Sequence, residues 1–177
     1  VLAGLFGTVA LAFSAALAAR RASSDGSGDA RPAAGGAVPD AGFRQLDHTA
    51  DTAIEAWGPT RAACLEAAVR GLVASFADVE GAGARERHPV VVGPGDDADL
   101  LVDLLDEVIY LLDARRAVVV GASLRDTEAG AVEGTMELAP VGEVRPAGAV
   151  PKAVTYHDLR IGRDADGAWR AHVIIDV

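Results

Sequence analysis

From residue 43 onward, apolar residues recur along the chain with two different periods. Alternation of period two over residues 43–46 and 52–57 predicts two short strands. Leu65, Val69, Leu72, Val73 and Phe76 then fall on one helical stripe, and Thr60 is placed to cap it, which predicts a helix to about residue 77. A strand is expected over residues 87–92. Asp96 and Asp97 can open a second helix reaching about residue 115, with Leu100, Leu101, Leu104, Leu105, Val108, Leu111 and Leu112 inward. Four more strands follow, over residues 117–124, 132–138, 153–161 and 168–177, the last two joined by the turn sequence RDADG. Hairpin-paired strands around two main helices predict an α+β domain with a mixed or antiparallel sheet. The stretches GAGARE and VGPGDDAD lack the Lys and Ser/Thr of a phosphate-binding loop and are expected to be turns.

The pattern upstream is different. Residues 2–19 are almost wholly apolar and Arg20 and Arg21 follow, while residues 22–42 are a low-complexity linker unable to bury a core. As a leader, the apolar run is either a membrane anchor or signal segment, or the product of a gene start placed too far upstream. The lack of a basic stretch before it and a first residue that is Val favour the second explanation. The folded domain is therefore expected over residues 43–177.

A formal net charge of −10 over 177 residues disfavours a protein that grips nucleic acid by itself, because such proteins displace phosphate counterions with a basic surface. The single cysteine, Cys64, excludes an internal disulfide framework and fits a reducing compartment. It falls in an Ala-rich helical pattern and is expected to be a small buried residue.

Polar chemistry collects at two places far apart in sequence. The stretch FRQLDHTADTAIEAWG puts Asp47, His48, Thr49 and Asp51 between two strands; they either shape a turn or supply ligands. The terminal HVIIDV puts Val173 and Ile175 on one strand face and His172, Ile174 and Asp176 on the other. Asp176 is either solvated or a ligand. Asp51 and Asp176 with a main-chain oxygen of Val177 would suit a hard cation such as Ca²⁺ or Mg²⁺, and no Cys or multi-His spacing points to structural zinc. Lys152 is the only lysine among sixteen basic residues, so a compact ammonium is either needed there or has survived by chance. Alternation after it places Val154, Tyr156 and Asp158 opposite Ala153, Thr155 and His157. Asp99, Asp103, Asp106 and Glu107 are expected to form a solvated helix face, and His88 and His172 to be structural without evident partners.

HTAD after a short strand, DLLVDLLDEVIYLLD, VPKAVTYHDLRI and the closing VIIDV together resemble the archease family, over residues 43–177. The resemblance implies a single archease-like domain and a protein without catalytic residues of its own. It would be a cytoplasmic accessory factor of a GTP-dependent RNA ligase that joins 3′-phosphate or 2′,3′-cyclic phosphate ends to 5′-hydroxyl ends, in tRNA splicing or RNA repair. Such factors promote guanylylation and turnover of the ligase. The resemblance further implies a metal site at Asp51, Asp176 and the Val177 main chain, for Ca²⁺ or alternatively Mg²⁺ or Mn²⁺, with His48 and Lys152 as neighbours. The ligase would be the partner. Strong direct nucleic-acid binding is not expected, nor a membrane unless residues 1–21 are a genuine anchor. The alternatives are a metal-dependent phosphohydrolase and a general chaperone.

Overall fold

The computed structural model of the chain describes residues 39–47 and 51–177. The apolar leader and its linker through residue 38 lie outside the described residues, as do His48 and Thr49. The elements in order are β1 (Gly42–Asp47), β2 (Asp51–Gly58), α1 (Arg61–Phe76), β3 (Ala77–Asp78), β4 (Glu86–Val92), α2 (Asp97–Arg115), β5 (Ala117–Asp126), β6 (Val132–Pro140), a 3-10 turn (Val141–Glu143), β7 (Arg145–Pro146), β8 (Ala153–Arg163) and β9 (Trp169–Asp176).

The helices begin where the capping residues place them. Thr60 accepts a hydrogen bond from the Ala63 amide at 3.1 Å, and Asp96 accepts one from the Asp99 amide at 2.9 Å. Asp97 and Asp99 in the first turn of α2 and Arg115 in the last complement the helix dipole. The chain leaves α2 at Arg116, whose left-handed backbone (φ 53°) ends the helix. α1 stops at Phe76 because Ala77 is extended and starts β3.

Among the described residues all strand pairs are antiparallel and form three sheets, in orders β1-β2-β9-β8, β4-β6-β5 and β3-β7. α1 packs on β1, β2 and β9 on one side and on β5 on the other, and α2 packs on β8 and on β4 and β5. The helices therefore form a layer between the two larger sheets. Leu65, Leu72, Leu100, Leu101, Leu104, Leu105, Leu111, Met136, Leu138 and Ile175 are fully buried in this layer, each contributing about 1.5–3 kcal/mol. Gly71 lets α1 lie close on β2, since a Cβ there would come 2.6 Å from Ile54 Cγ2. Among the described residues no polar or charged residue is buried.

The in-register pairing of β2 and β9 decides which side chains reach the uncovered side of the sheet. It runs from Asp51 opposite Asp176 to Gly58 opposite Trp169. Ile54, Ala56, Ala171, Val173 and Ile175 point into the core, so Asp51, Glu55, Trp57, Arg170, His172 and Asp176 share the opposite face, on which no helix of the described residues packs. One expectation fails here. β8 does not alternate throughout: Thr155 opposes Ile174 but Arg160 opposes His172, so residues 156–159 bulge out against Val173 alone. Asp158 takes a left-handed backbone (φ 53°) within that bulge. Beyond it Arg160 and Gly162 face outward, opposite His172 and Arg170.

Candidate functional site

Three distant segments meet at one end of the four-stranded sheet. Asp51 opens β2, Asp176 closes β9 directly opposite it, and Ala153 opens β8 on the other side of Asp176. The register fixes this arrangement, because a slip of one residue would turn Asp51 or Asp176 into the core. Lys152, just before β8, donates its backbone amide to the Asp176 carbonyl and its ammonium to the main-chain oxygen of Val177, both at 2.8 Å. Asp51, Asp176, Val177 and Lys152 are thus brought together. The connection bearing His48 and Thr49 lies outside the described residues.

Directly opposed residues of an antiparallel pair have Cβ atoms about 4.5–5.5 Å apart, and like charges in such a pair repel. Asp51 and Asp176 form such a pair. The Lys152 ammonium beside Val177 offsets part of this repulsion, and a cation between the carboxylates would offset more. The donors are all oxygen, the ligand type of a hard cation rather than of zinc. They comprise only two carboxylates, and among the described residues no cluster of three or more His, Cys, Asp or Glu could hold a metal. The site is also open. Asp176 and Lys152 are exposed and Asp51 is half-buried, and among the described residues Lys152 also borders a cavity of about 440 Å³. A strand end with two carboxylates and an ammonium can engage another molecule's site, and among the described residues no wall closes over it.

The α2 carboxylates are less free than a solvated face would be. Asp99 accepts from the Tyr156 hydroxyl at 2.9 Å, and this bond holds the Tyr156 phenol above its usual pKa range. Burial raises Asp106 despite the Val154 backbone amide beside it. Glu107 pairs with His88 Nε2 at 2.8 Å, and Arg115 approaches the other ring nitrogen at 3.3 Å while binding Glu86. His88 therefore has partners, contrary to the sequence expectation. No local pattern could have supplied them, because α2 meets β4 and β8 only in the folded sheet. Cys64 is buried, its thiol donates to the Ala56 carbonyl at 3.6 Å, and burial pushes it up to about 12 against the pull of Arg170. It is not a nucleophile.

A family model described as the Archease protein family matches residues 43–177. A Mycobacterium tuberculosis protein named "Probable protein archease" is 43% identical over 136 residues, covering 77% of this chain and 75% of that one. The protein archease of Thermococcus gammatolerans is 32% identical over 143 residues, covering 76% of this chain and 98% of that one. The solution structure of Methanobacterium thermoautotrophicum protein 1598 superposes with a TM-score of 0.64 at 28% identity, over 77% of this chain and 99% of that one. The crystal structure of a Thermotoga maritima archease, described as a possible chaperone, has the same fold, with a TM-score of 0.53 at 23% identity over 76% of this chain and 96% of that one.

Proposed function

The chain belongs to the archease family, and from that premise we propose that it is an accessory factor of a GTP-dependent RNA ligase, acting in tRNA splicing or RNA repair. It stimulates guanylylation and turnover of the ligase by presenting the Asp51–Asp176 tip to the ligase's active site. The observation that carries this reading is the opposed carboxylate pair, with Lys152 bonded to the main chain beside it, at the end of a sheet. A catalyst acting alone would need walls to orient its substrate and exclude water; a protrusion needs a partner that provides them. Asp51, Asp176 and the Val177 main chain would hold a divalent cation, Ca²⁺ in the first place and Mg²⁺ or Mn²⁺ as alternatives. When bound, such an ion supplies positive charge for phosphate oxygens. The protein's own groups position that charge: the β2–β9 register fixes the carboxylates, and Lys152 fixes the end of β9.

Among the described residues no helix is long and apolar enough to cross a membrane, and the proposed place of action is the cytoplasm, where ligase and GTP occur. Incubating the full chain with GTP and RNA ends, with and without the ligase, tests the assignment. Joining that accelerates only when the ligase is present is expected. Phosphate release without the ligase would instead support a metal-dependent hydrolase, and rescue of unrelated aggregating proteins a general chaperone, the role suggested for the Thermotoga relative.

A further inference from the structure

The face of the four-stranded sheet turned away from α1 and α2 has a second polar region, away from the Asp51–Asp176 end. The strand registers align Gly42, Trp57, Arg170 and Gly162 in one cross-strand row, and Arg44, Glu55, His172 and Arg160 in the next. Trp57, Arg160, Arg170, His172 and Glu55 line a shallow concavity of about 190 Å³ between these rows. The indole of Trp57 lies flat over Gly42: a Cβ there would come 2.8 Å from its Cζ2 and 2.9 Å from its Cε2. Glycine is thus what lets the ring lie down on the sheet, and Trp57 stays partly exposed where it lines the concavity. Gly162 at the far end of the row has open space where a Cβ would be.

The charges around this ring are partly paired. Arg44 binds Glu55, Arg170 gives its Nε to Asp164, and Arg160 reaches Asp158 through one terminal nitrogen at 3.3 Å. A guanidinium has five donors, so Arg160 and Arg170 keep several free, and both side chains are more than half exposed. His172 adds a ring nitrogen. A partly exposed aromatic ring lining a concavity, bordered by arginines with spare donors, suits a ligand with both a π-face and an oxyanion. An acidic protein segment would use the arginines and leave the platform idle.

We infer that this face carries a shallow site for a phosphorylated nucleoside, with the base stacked on Trp57 and the phosphate on Arg160, Arg170 and His172. The nucleoside is either a free nucleotide or the terminal residue of an RNA strand; the chemistry is the same. Binding is weak, because the chain as a whole is acidic, and its salt dependence is shallow, with a log–log slope of about −1 to −2 for one or two phosphates.

The experiment is a ¹H–¹⁵N NMR titration of the full chain, without ligase, following the Trp57 indole N–H and the Arg160, Arg170 and His172 amides. The probes are guanosine monophosphate and a hexaribonucleotide with a 3′-phosphate. Saturable shifts confined to these groups are expected. Affinity should fall about tenfold or more in Trp57→Leu, as loss of one stacked base implies, and by a similar factor in Arg160→Ala, whose exposed side chain leaves the fold unaltered. Tighter binding of the hexanucleotide identifies an RNA end as the ligand, and equal binding a free nucleotide. Absence of saturable shifts at millimolar probe would overturn the inference. So would binding that Trp57→Leu leaves unchanged and inorganic phosphate reproduces, or displacement of both probes by a hexa-aspartate peptide, which would reveal an acidic protein partner instead.

Discussion

The Lys152 ammonium donates to the main-chain oxygen of Val177 at 2.8 Å, while the Lys152 amide donates to the carbonyl of Asp176 at the same distance. One residue thus fixes both the end of β9 and the charge beside the opposed carboxylates. Lys152→Met should lower ligase stimulation at least tenfold while the melting temperature falls only by about 2–4 °C, as expected for one lost exposed hydrogen bond. Lys152→Arg separates charge from shape. A planar guanidinium cannot take the place of a compact ammonium, so this variant should lose most of the stimulation too. Full activity in Lys152→Arg would mean that the lone lysine is a compositional remnant.

Arg61 ties the start of α1 to the start of α2 and to the β5–β6 hairpin. Its Nη1 binds Asp97 at 2.8 Å, its Nε binds Asp126 at 2.7 Å, and its Nη2 donates to the Gly130 carbonyl at 3.0 Å. The side chain is only 14% exposed. Burial opposes its charge, yet the two carboxylates hold its pKa above the usual range. Arg61→Leu should destabilise the domain by about 2–3 kcal/mol in urea unfolding without altering ligase stimulation of the folded protein. A neutral effect on stability would show the network to be ornamental.

Much of this organisation was legible in the sequence, and the parts that were not have physical reasons. The caps at Thr60 and Asp96, the leucine stripe of α2 and the β8–β9 turn are local signals, and each element stands where they place it. The antiparallel pairing expected from the hairpins holds, and the two larger sheets lie one on each side of the helix layer. Alternation misassigned β8 after Thr155, since a bulge centred on a left-handed Asp158 has no signature as plain as glycine. That Asp51 and Asp176 would be neighbours was expected from the two end motifs; their direct opposition comes from the strand register. The His88–Glu107 pair and the flat Trp57 ring were not, because both depend on which strands become neighbours. That His48 neighbours the tip rests on family resemblance.

The α2 carboxylates provide the contrast with the tip. Asp103→Asn should leave ligase stimulation within twofold of wild type. Asp99→Asn should do the same, but it should lower the Tyr156 phenol toward its usual range, seen in an ultraviolet titration. The sign follows from the raised folded pKa: the Tyr156–Asp99 bond adds stability below about pH 10, the unfolded value, and that contribution disappears as pH rises through the folded value. Loss of stimulation in Asp103→Asn with the fold intact would move the functional site away from the β2–β9 end.

Calorimetric titration with Ca²⁺ tests the proposed cation. The wild-type chain should bind one ion, and removal of metal by a chelator should reduce ligase stimulation reversibly. Asp51→Asn and Asp176→Asn should each weaken binding at least tenfold, since each removes one of only two carboxylates. Equal binding in both variants would place any bound ion elsewhere.

The most direct test of the central claim is the rate of guanylylation of a GTP-dependent RNA ligase, measured with the wild-type chain and with Asp51→Asn and Asp176→Asn. Both residues lie at a strand end outside the buried core, so both variants should fold with a melting temperature close to wild type. Each is predicted to abolish stimulation, returning the ligase to its unassisted rate. Stimulation retained by both variants at the wild-type level would contradict the account.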